Sequence, residues 1–304
     1  MAQKTIAVLG ALGAQGGSVV RSLLAHGGFH VRAVTRSVNS DAAKSLQGQG
    51  VEVVAGDVKD PVTLETAFTG ADSAFIVVNF WDPDIMMKEE ELTKRILDVA
   101  KKCEVQQILY ASLANVEQVS GGKLNVPHFT MKAKAFEYAK SLGFKYLTGI
   151  EAAYYYSNWF TFFKPTAEED GTLVWTFPGK NKISAFDPNT DVGPAAVAAA
   201  LDPERYNGRS ILLEGDCLTA EEAAAVISKY VGKPTRVDHV DPDAFATFFP
   251  GAHEIAEMVK WFDQYGYYGP ETDDRKHSSG KEAAGSLLSF DQWMKTGAYK
   301  KYME

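Results

Sequence analysis

The segment Gly10-Ala-Leu-Gly13-Ala-Gln-Gly16 restricts this chain more than any other. It follows a continuous apolar run at residues 5–9 and opens a stretch at 14–25 in which Val19, Val20, Leu23 and Leu24 recur at helical spacing. An apolar run without alternation suits a parallel strand covered on both faces, and recurrence at i, i+3 and i+4 suits a helix with one buried side. Strand, glycine turn and helix therefore follow in order, and each glycine has its own role. Gly10 permits a tight turn, Gly13 lets phosphates approach the backbone, and Gly16 lets helix and strand pack closely. The helix start offers unpaired N–H groups and partial positive charge, a seat for a diphosphate. The turn therefore predicts a dinucleotide site in which Gly10, Ala11, Leu12, Gly13, Ala14, Gln15 and Gly16 cradle the pyrophosphate.

The end of the next strand, 31–34, selects between the two nicotinamide dinucleotides. A site for NAD places Asp or Glu there, about 20 residues past the turn, to hold the ribose hydroxyls. This chain reads Val34-Thr35-Arg36-Ser37. The Arg36 guanidinium can grip a 2′-phosphate with two hydrogen bonds, so the expected cofactor is NADP(H).

Further strands are predicted at 51–55, 74–78, 107–111 and 146–150, and helices at 42–47, 61–68, 89–103 and 128–142, the last ended by Gly143. This alternation predicts an α/β fold, a doubly wound parallel-sheet Rossmann domain over residues 1–153. Residues 154–304 read as a smaller α+β lobe on the substrate or partner side, with segments free to interleave with the first. The lobe opens on a dense aromatic block at 154–163. It continues through strands at 173–177, 210–213 and 236–240 and a helix at about 191–201. Capping boxes at Thr219–Glu222 and Ser289–Gln292 open two more helices. Residues 266–286, rich in Gly, Ser, Lys and Asp, are expected to form an exposed loop.

Composition narrows the function classes. With 31 Lys and Arg against 39 Asp and Glu, the net charge is −8 and no basic cluster occurs, which argues against direct nucleic-acid binding. No apolar run reaches the length of a membrane span. Met1-Ala2-Gln3-Lys4 runs straight into the first strand without a signal-peptide pattern, so the expected compartment is the cytoplasm. The two cysteines, Cys103 and Cys217, form no CxxC pair, and no metal site is expected.

Six segments together resemble the NmrA-like family, atypical relatives of the short-chain dehydrogenase/reductases, and the likeness extends over nearly the whole chain. They are Gly10-Ala-Leu-Gly-Ala-Gln-Gly-Gly-Ser18, Val34-Thr-Arg36, Gly56-Asp57, Val78-Asn-Phe-Trp81, His128-Phe-Thr-Met-Lys132 and Phe249-Pro-Gly-Ala252. Leu12 stands where the family commonly has Thr, a change that a backbone contact tolerates. The resemblance implies that Asp57 and Val58 flank the adenine and that Val78, Asn79 and Phe80 line the path to the nicotinamide. It implies that Lys132 reaches the nicotinamide ribose and that Tyr154, Tyr155, Tyr156 and Ser157 cover the nicotinamide end.

Short-chain dehydrogenases carry a catalytic Tyr four residues before such a Lys. Here His128 occupies that place, one helical turn from Lys132, and an imidazole can pass a proton near neutral pH. Ser112 is a further candidate for holding a substrate oxygen. Two functions stay open. One is an NADPH-dependent reductase of an aromatic or apolar carbonyl-type small molecule. Lys132 would be its electrostatic stabiliser, His128 its proton donor and the aromatic block its substrate wall. The other is a non-catalytic sensor of the NADPH/NADP⁺ ratio that acts on a regulatory protein partner. Either is compatible with a monomer or a homodimer.

Overall fold

A computed structural model describes residues 3–272 and 275–303 of the chain. In chain order the strands are β1 (Lys4–Leu9), β2 (Phe29–Thr35), β3 (Glu52–Ala55), β4 (Ser73–Ile76), β5 (Gln107–Ser112), β6 (Tyr146–Ala152), β7 (Tyr154–Tyr155), β8 (Thr166–Ala167), β9 (Leu173–Phe177), β10 (Ile183–Phe186), β11 (Arg209–Leu213), β12 (Asp216–Leu218), β13 (Thr235–His239) and β14 (Lys276–Ser279). The helices of the first half are α1 (Ala14–His26), α2 (Asp41–Gly48), α3 (Pro61–Phe68), α4 (Glu89–Lys102), α5 (Val116–Val119) and α6 (Pro127–Ser141). Those of the second half are α7 (Pro188–Leu201), α8 (Pro203–Tyr206), α9 (Ala220–Val231), α10 (Pro242–Phe245), α11 (Ala252–Tyr265), α12 (Gly280–Ala284) and α13 (Phe290–Lys295).

Eight strands form one sheet in the order β3-β2-β1-β4-β5-β6-β11-β14, and every pairing in it is parallel. Such a sheet must be covered on both sides, and β1 shows how its sequence meets that demand. Ile6 and Val8 enter a core that includes Val19, Val20 and Leu23 of α1 and Val192 and Ala196 of α7. Ala7 and Leu9 enter a second core on the other face with Leu64 of α3, Ile96 of α4 and Ala139 of α6. The doubly wound expectation is met, and β2 and β4 leave β1 in opposite directions, the point at which open α/β sheets bind ligands.

After residue 154 the chain re-enters this layer. Helix α7 packs on α1 so closely that a Cβ on Gly193 would lie 2.2 Å from the Ser18 carbonyl oxygen. The Gly193 amide donates to Ser18 Oγ at 2.9 Å. Strands β11 and β14 extend the sheet beyond β6. The last of these corrects the loop expected at 266–286: Lys276–Ser279 pairs with Arg209–Leu212 in parallel register, and α12 follows at once. Its Lys-His-Ser-Ser sequence carries no apolar signal, because an edge strand held on one side by its ladder to β11 needs no apolar run to stay in place.

The remaining strands make two small sheets, β7-β10-β12 and β8-β9-β13. Both capping boxes predicted from sequence are formed, at Thr219 before α9 and at Ser289 before α13. Strand β4 ends at Ile76 rather than at 78, so Val77 and Val78 leave the ladder and turn toward the sheet's C-terminal edge.

Candidate functional site

The C-terminal ends of β1, β2, β4, β5 and β6 open on a single cleft of about 830 Å³. Its floor is the glycine turn. Gly10 adopts φ +70°, the left-handed region open to glycine, and its carbonyl accepts from the Gly13 amide at 2.9 Å. A Cβ on Gly16 would lie 2.2 Å from the Gly10 oxygen, so only glycine lets α1 start this close to the turn. Gly13 is the N-cap residue and supplies no side-chain acceptor, and the first turn of α1 carries no acid. The amides at this helix start therefore remain available to an anion. Gly10, Ala11, Leu12, Gly13, Ala14, Gln15 and Gly16 all line the cleft.

Arg36, at the end of β2, lines the same cleft with its side chain 59% exposed, and its guanidinium meets the Asp82 carboxylate at 3.4 Å. Val58, Val78, Asn79 and Phe80 also line it. Asn79 Oδ1 accepts from the Trp81 amide at 3.2 Å and so shapes the turn that brings Phe80 and Trp81 over the opening. Ser112, at the end of β5, lines the cleft and is buried.

Helix α6 brings His128 and Lys132 to the far end. The Lys132 ammonium is ion-paired with Glu89, whose side chain is fully buried at the start of α4, and donates to the Val78 carbonyl at 3.1 Å. His128 Nδ1 lies 2.5 Å from Glu254 Oε1 of α11, and its ring packs against Phe80 and Trp81. Tyr155 closes the cleft toward the glycine turn. Its hydroxyl accepts from Gln15 Nε2 at 2.7 Å, and burial raises its pKa.

Three of the named residues stand outside this constellation. Asp57 does not line the cleft, and its carboxylate accepts from the Lys59 amide at 2.9 Å, shaping the turn after β3. Tyr156 does not line the cleft; it is fully buried, packs on Phe290 and Trp293, and donates to the Leu288 carbonyl at 2.8 Å. Ser157 lies in the turn after Tyr156, and its carbonyl accepts from the Phe160 amide. The aromatic block thus divides. Tyr154, Tyr155 and Phe162 face the cleft, whereas Trp159, Phe160 and Phe163 are core.

Sequence reasoning missed Glu89, Glu254, Asp82 and the cleft-lining Met258 and Tyr267. Glu89 did carry a signal. It shares a stripe with Leu92, Thr93 and Ile96, all buried, so it is the acid of its Glu-Glu-Glu run that faces inward. Among the described residues no group of three or more metal-ligating side chains occurs, and no helix is long and apolar enough to cross a membrane.

A parallel sheet with a glycine turn at its switch point, opening on a long cleft, defines a Rossmann-type dinucleotide-binding fold. Residues 2–299 match the NmrA-like family, and the chain belongs to it. FrzB of Cladobotryum sp, an NmrA-like family domain-containing oxidoreductase, is 34% identical over 276 residues, spanning 84% of this chain and 82% of that protein. Among solved structures, NmrA, a negative transcriptional regulator, in complex with NADP has a TM-score of 0.80 at 24% identity and covers 100% of both chains. The Escherichia coli NADPH-dependent quinone oxidoreductase QOR2 complexed with NADPH has a TM-score of 0.76 at 19% identity, covering 96% of this chain and 99% of that one. At these identities the two structures establish the shared fold.

Proposed function

We propose that the chain binds NADP(H) in this cleft and uses it to reduce an aromatic or apolar small molecule with a polarised carbonyl-type bond. The residues present fit the cofactor. Free amides at the start of α1 suit the pyrophosphate, Arg36 suits a 2′-phosphate, and Gln15 Oε1, buried with no partner, offers an acceptor along the cleft. Bound NADPH would supply the hydride. Lys132, with one ammonium proton not committed to Glu89 or Val78, would hold the nicotinamide ribose and stabilise charge on the substrate oxygen. His128 would pass the proton.

The observation that carries the reductase reading is the aromatic rim beside this pair, where Trp81 packs on the His128 ring. Trp81 and Phe162, 44% and 40% exposed, stand with ring centroids 5.7 Å apart at the opening of the cleft. Exposed rings beside a cofactor site suit a flat apolar substrate, and the description of FrzB as an oxidoreductase supports the same class. The test is loss of nicotinamide absorbance when purified protein and NADPH meet a panel of quinones, aromatic aldehydes and ketones. Turnover that Lys132→Ala abolishes would establish the reading; no turnover across the panel would end it.

The runner-up, a regulator that senses the NADPH/NADP⁺ ratio and signals to a protein partner, draws on one observation. Lys132 is already engaged by a buried carboxylate, an arrangement that also suits a purely structural lysine. A sensor must bind the two redox forms with different affinity, since equal binding shifts no population. Equal affinity for NADPH and NADP⁺ in calorimetric titration would exclude the sensor, and turnover on the carbonyl panel separates it from the reductase.

A further inference from the structure

We infer that Glu254 is a positioning residue, which fixes the proton of His128 on Nδ1 and thereby turns Nε2 toward the cleft as the atom that exchanges a proton with substrate. The geometry is specific. One carboxylate oxygen of Glu254 receives both the His128 ring nitrogen Nδ1 at 2.5 Å and the His128 backbone amide at 3.1 Å. The amide belongs to the first turn of α6, whose N-cap residue, Val126, has no side-chain acceptor, so Glu254 also satisfies a helix-start donor. Two donors converging on one oxygen lock the ring against the helix axis rather than leaving it to rotate. Phe80, Trp81 and Phe129 pack around the same ring at centroid distances of 5.6, 5.2 and 4.9 Å and leave it little other freedom. Both carboxylate and imidazole are largely withdrawn from water, with 16% and 11% of their side chains exposed.

An ionised carboxylate only accepts hydrogen bonds, so the ring nitrogen facing it must carry the proton. The tautomer is thus set by the orienting partner, as in other carboxylate–imidazole pairs. Nε2 makes no hydrogen bond to any described residue, while the ring lines the cleft. In turnover the imidazolium would give its Nε2 proton to the substrate oxygen as the carbonyl carbon takes hydride from NADPH. The C=O π bond breaks, C–H and O–H bonds form, NADPH becomes NADP⁺, and His128 is left neutral with its proton on Nδ1, to be recharged from water. This use in turnover rests on the reductase reading, whereas the tautomer does not.

The experiment therefore has two arms. In nitrogen-15 spectra of histidine-labelled protein with NADP⁺ bound, neutral His128 is expected to show a protonated Nδ1 and a bare Nε2, identified by loss of its signals in His128→Gln. Glu254→Leu should move the proton to Nε2, and Glu254→Gln, which retains an acceptor oxygen, should keep it on Nδ1. A wild-type protein with the proton on Nε2 overturns the assignment without recourse to any variant, as does an unchanged tautomer in Glu254→Leu. In the second arm, with a substrate from the carbonyl panel, Glu254→Leu should lower kcat about tenfold while the KM for NADPH stays within about twofold, a smaller loss than the roughly 10²–10⁴-fold of removing a general acid itself, because the imidazole remains. Unchanged kcat alongside an altered tautomer would overturn the catalytic use of the pair. Absence of any wild-type turnover would count against the reductase reading and leave the first arm to judge Glu254.

Discussion

The Arg36 guanidinium lies 3.4 Å from the Asp82 carboxylate, joining the end of β2 to the loop that follows β4. A 2′-phosphate arriving at Arg36 would compete with that carboxylate. Exposed ion pairs contribute about 0–1 kcal/mol, so Asp82→Asn should tighten NADPH binding by up to about fivefold and leave NADH nearly unchanged. Arg36→Ala should weaken NADPH by about 10- to 100-fold, the range of a charge-assisted hydrogen bond of about 1.5–3 kcal/mol, again with little effect on NADH. Calorimetric titration of both cofactors against both variants measures the outcome.

Lys132 and Glu89 form a strongly desolvated ion pair at the far end of the cleft, with 13% and 0% side-chain exposure. Removing one partner of a buried pair leaves a lone charge and costs about 3–5 kcal/mol. Glu89→Leu and Lys132→Met should each lower stability by that order in urea unfolding. The double variant should recover most of it, because an apolar pair of similar volume carries no desolvation penalty. Recovered stability should not bring back cofactor-dependent turnover, which separates the scaffold role of the lysine from its role at the ribose.

Stability should also respond to pH through Asp191, near the start of α7. Burial, aided by the neighbouring charge of Asp187, pushes its carboxyl up to about 6, against the pull of hydrogen bonds from Thr190 and the Asp187 amide. A folded-state pKa above the unfolded one means the folded chain holds the proton more tightly. Its contribution is therefore full below about pH 4 and is lost as pH rises to about 6. A carboxyl displaced this far from its ordinary range contributes on the order of 3 kcal/mol at most. Asp191→Asn should flatten the stability profile between about pH 4 and 6 and leave the variant more stable than wild type at pH 8. A parallel pair of profiles in urea unfolding would refute this.

Much of the cleft was legible because its chemistry is contiguous in the chain. The glycine turn, Arg36 and the His128–Lys132 helix each announce themselves within a few residues, and all of them reach the same cavity. What escaped notice depends on distance or disguise. Glu254 meets His128 across 126 positions, a contact no local pattern encodes. Glu89 hides among three acids at a helix start, where negative charge is ordinarily solvated. Tyr156 was drawn to the cleft with its neighbours, yet at the tight turn Tyr156–Trp159 it is buried against Phe290 and Trp293 instead. Strand β14 lacks apolar residues because it contributes hydrogen bonds to an edge rather than side chains to a core.

The glycines of the turn should fail in different ways when given a methyl group. At Gly16 the new carbon would lie 2.2 Å from the Gly10 carbonyl oxygen and 2.6 Å from its carbon, both backbone atoms of the turn itself. Neither can move without shifting β1 or α1, which α7 clamps from behind through Gly193. Overpacking of this kind typically costs about 1–3 kcal/mol and occasionally more, so Gly16→Ala should lower the melting temperature with or without cofactor. At Gly13 the nearest atom would be the same Gly10 carbonyl oxygen, but at 3.3 Å, a tight contact relieved by a shift of a few tenths of an ångström, and φ is −83°, a value any residue adopts. Gly13→Ala should therefore fold nearly as well as the parent, yet its methyl group would intrude where the pyrophosphate must approach the amides. Its expected signature is a nearly unchanged melting temperature without cofactor and a much smaller rise on adding NADPH. Equal losses of intrinsic stability in the two variants would refute the separation of packing glycine from ligand glycine.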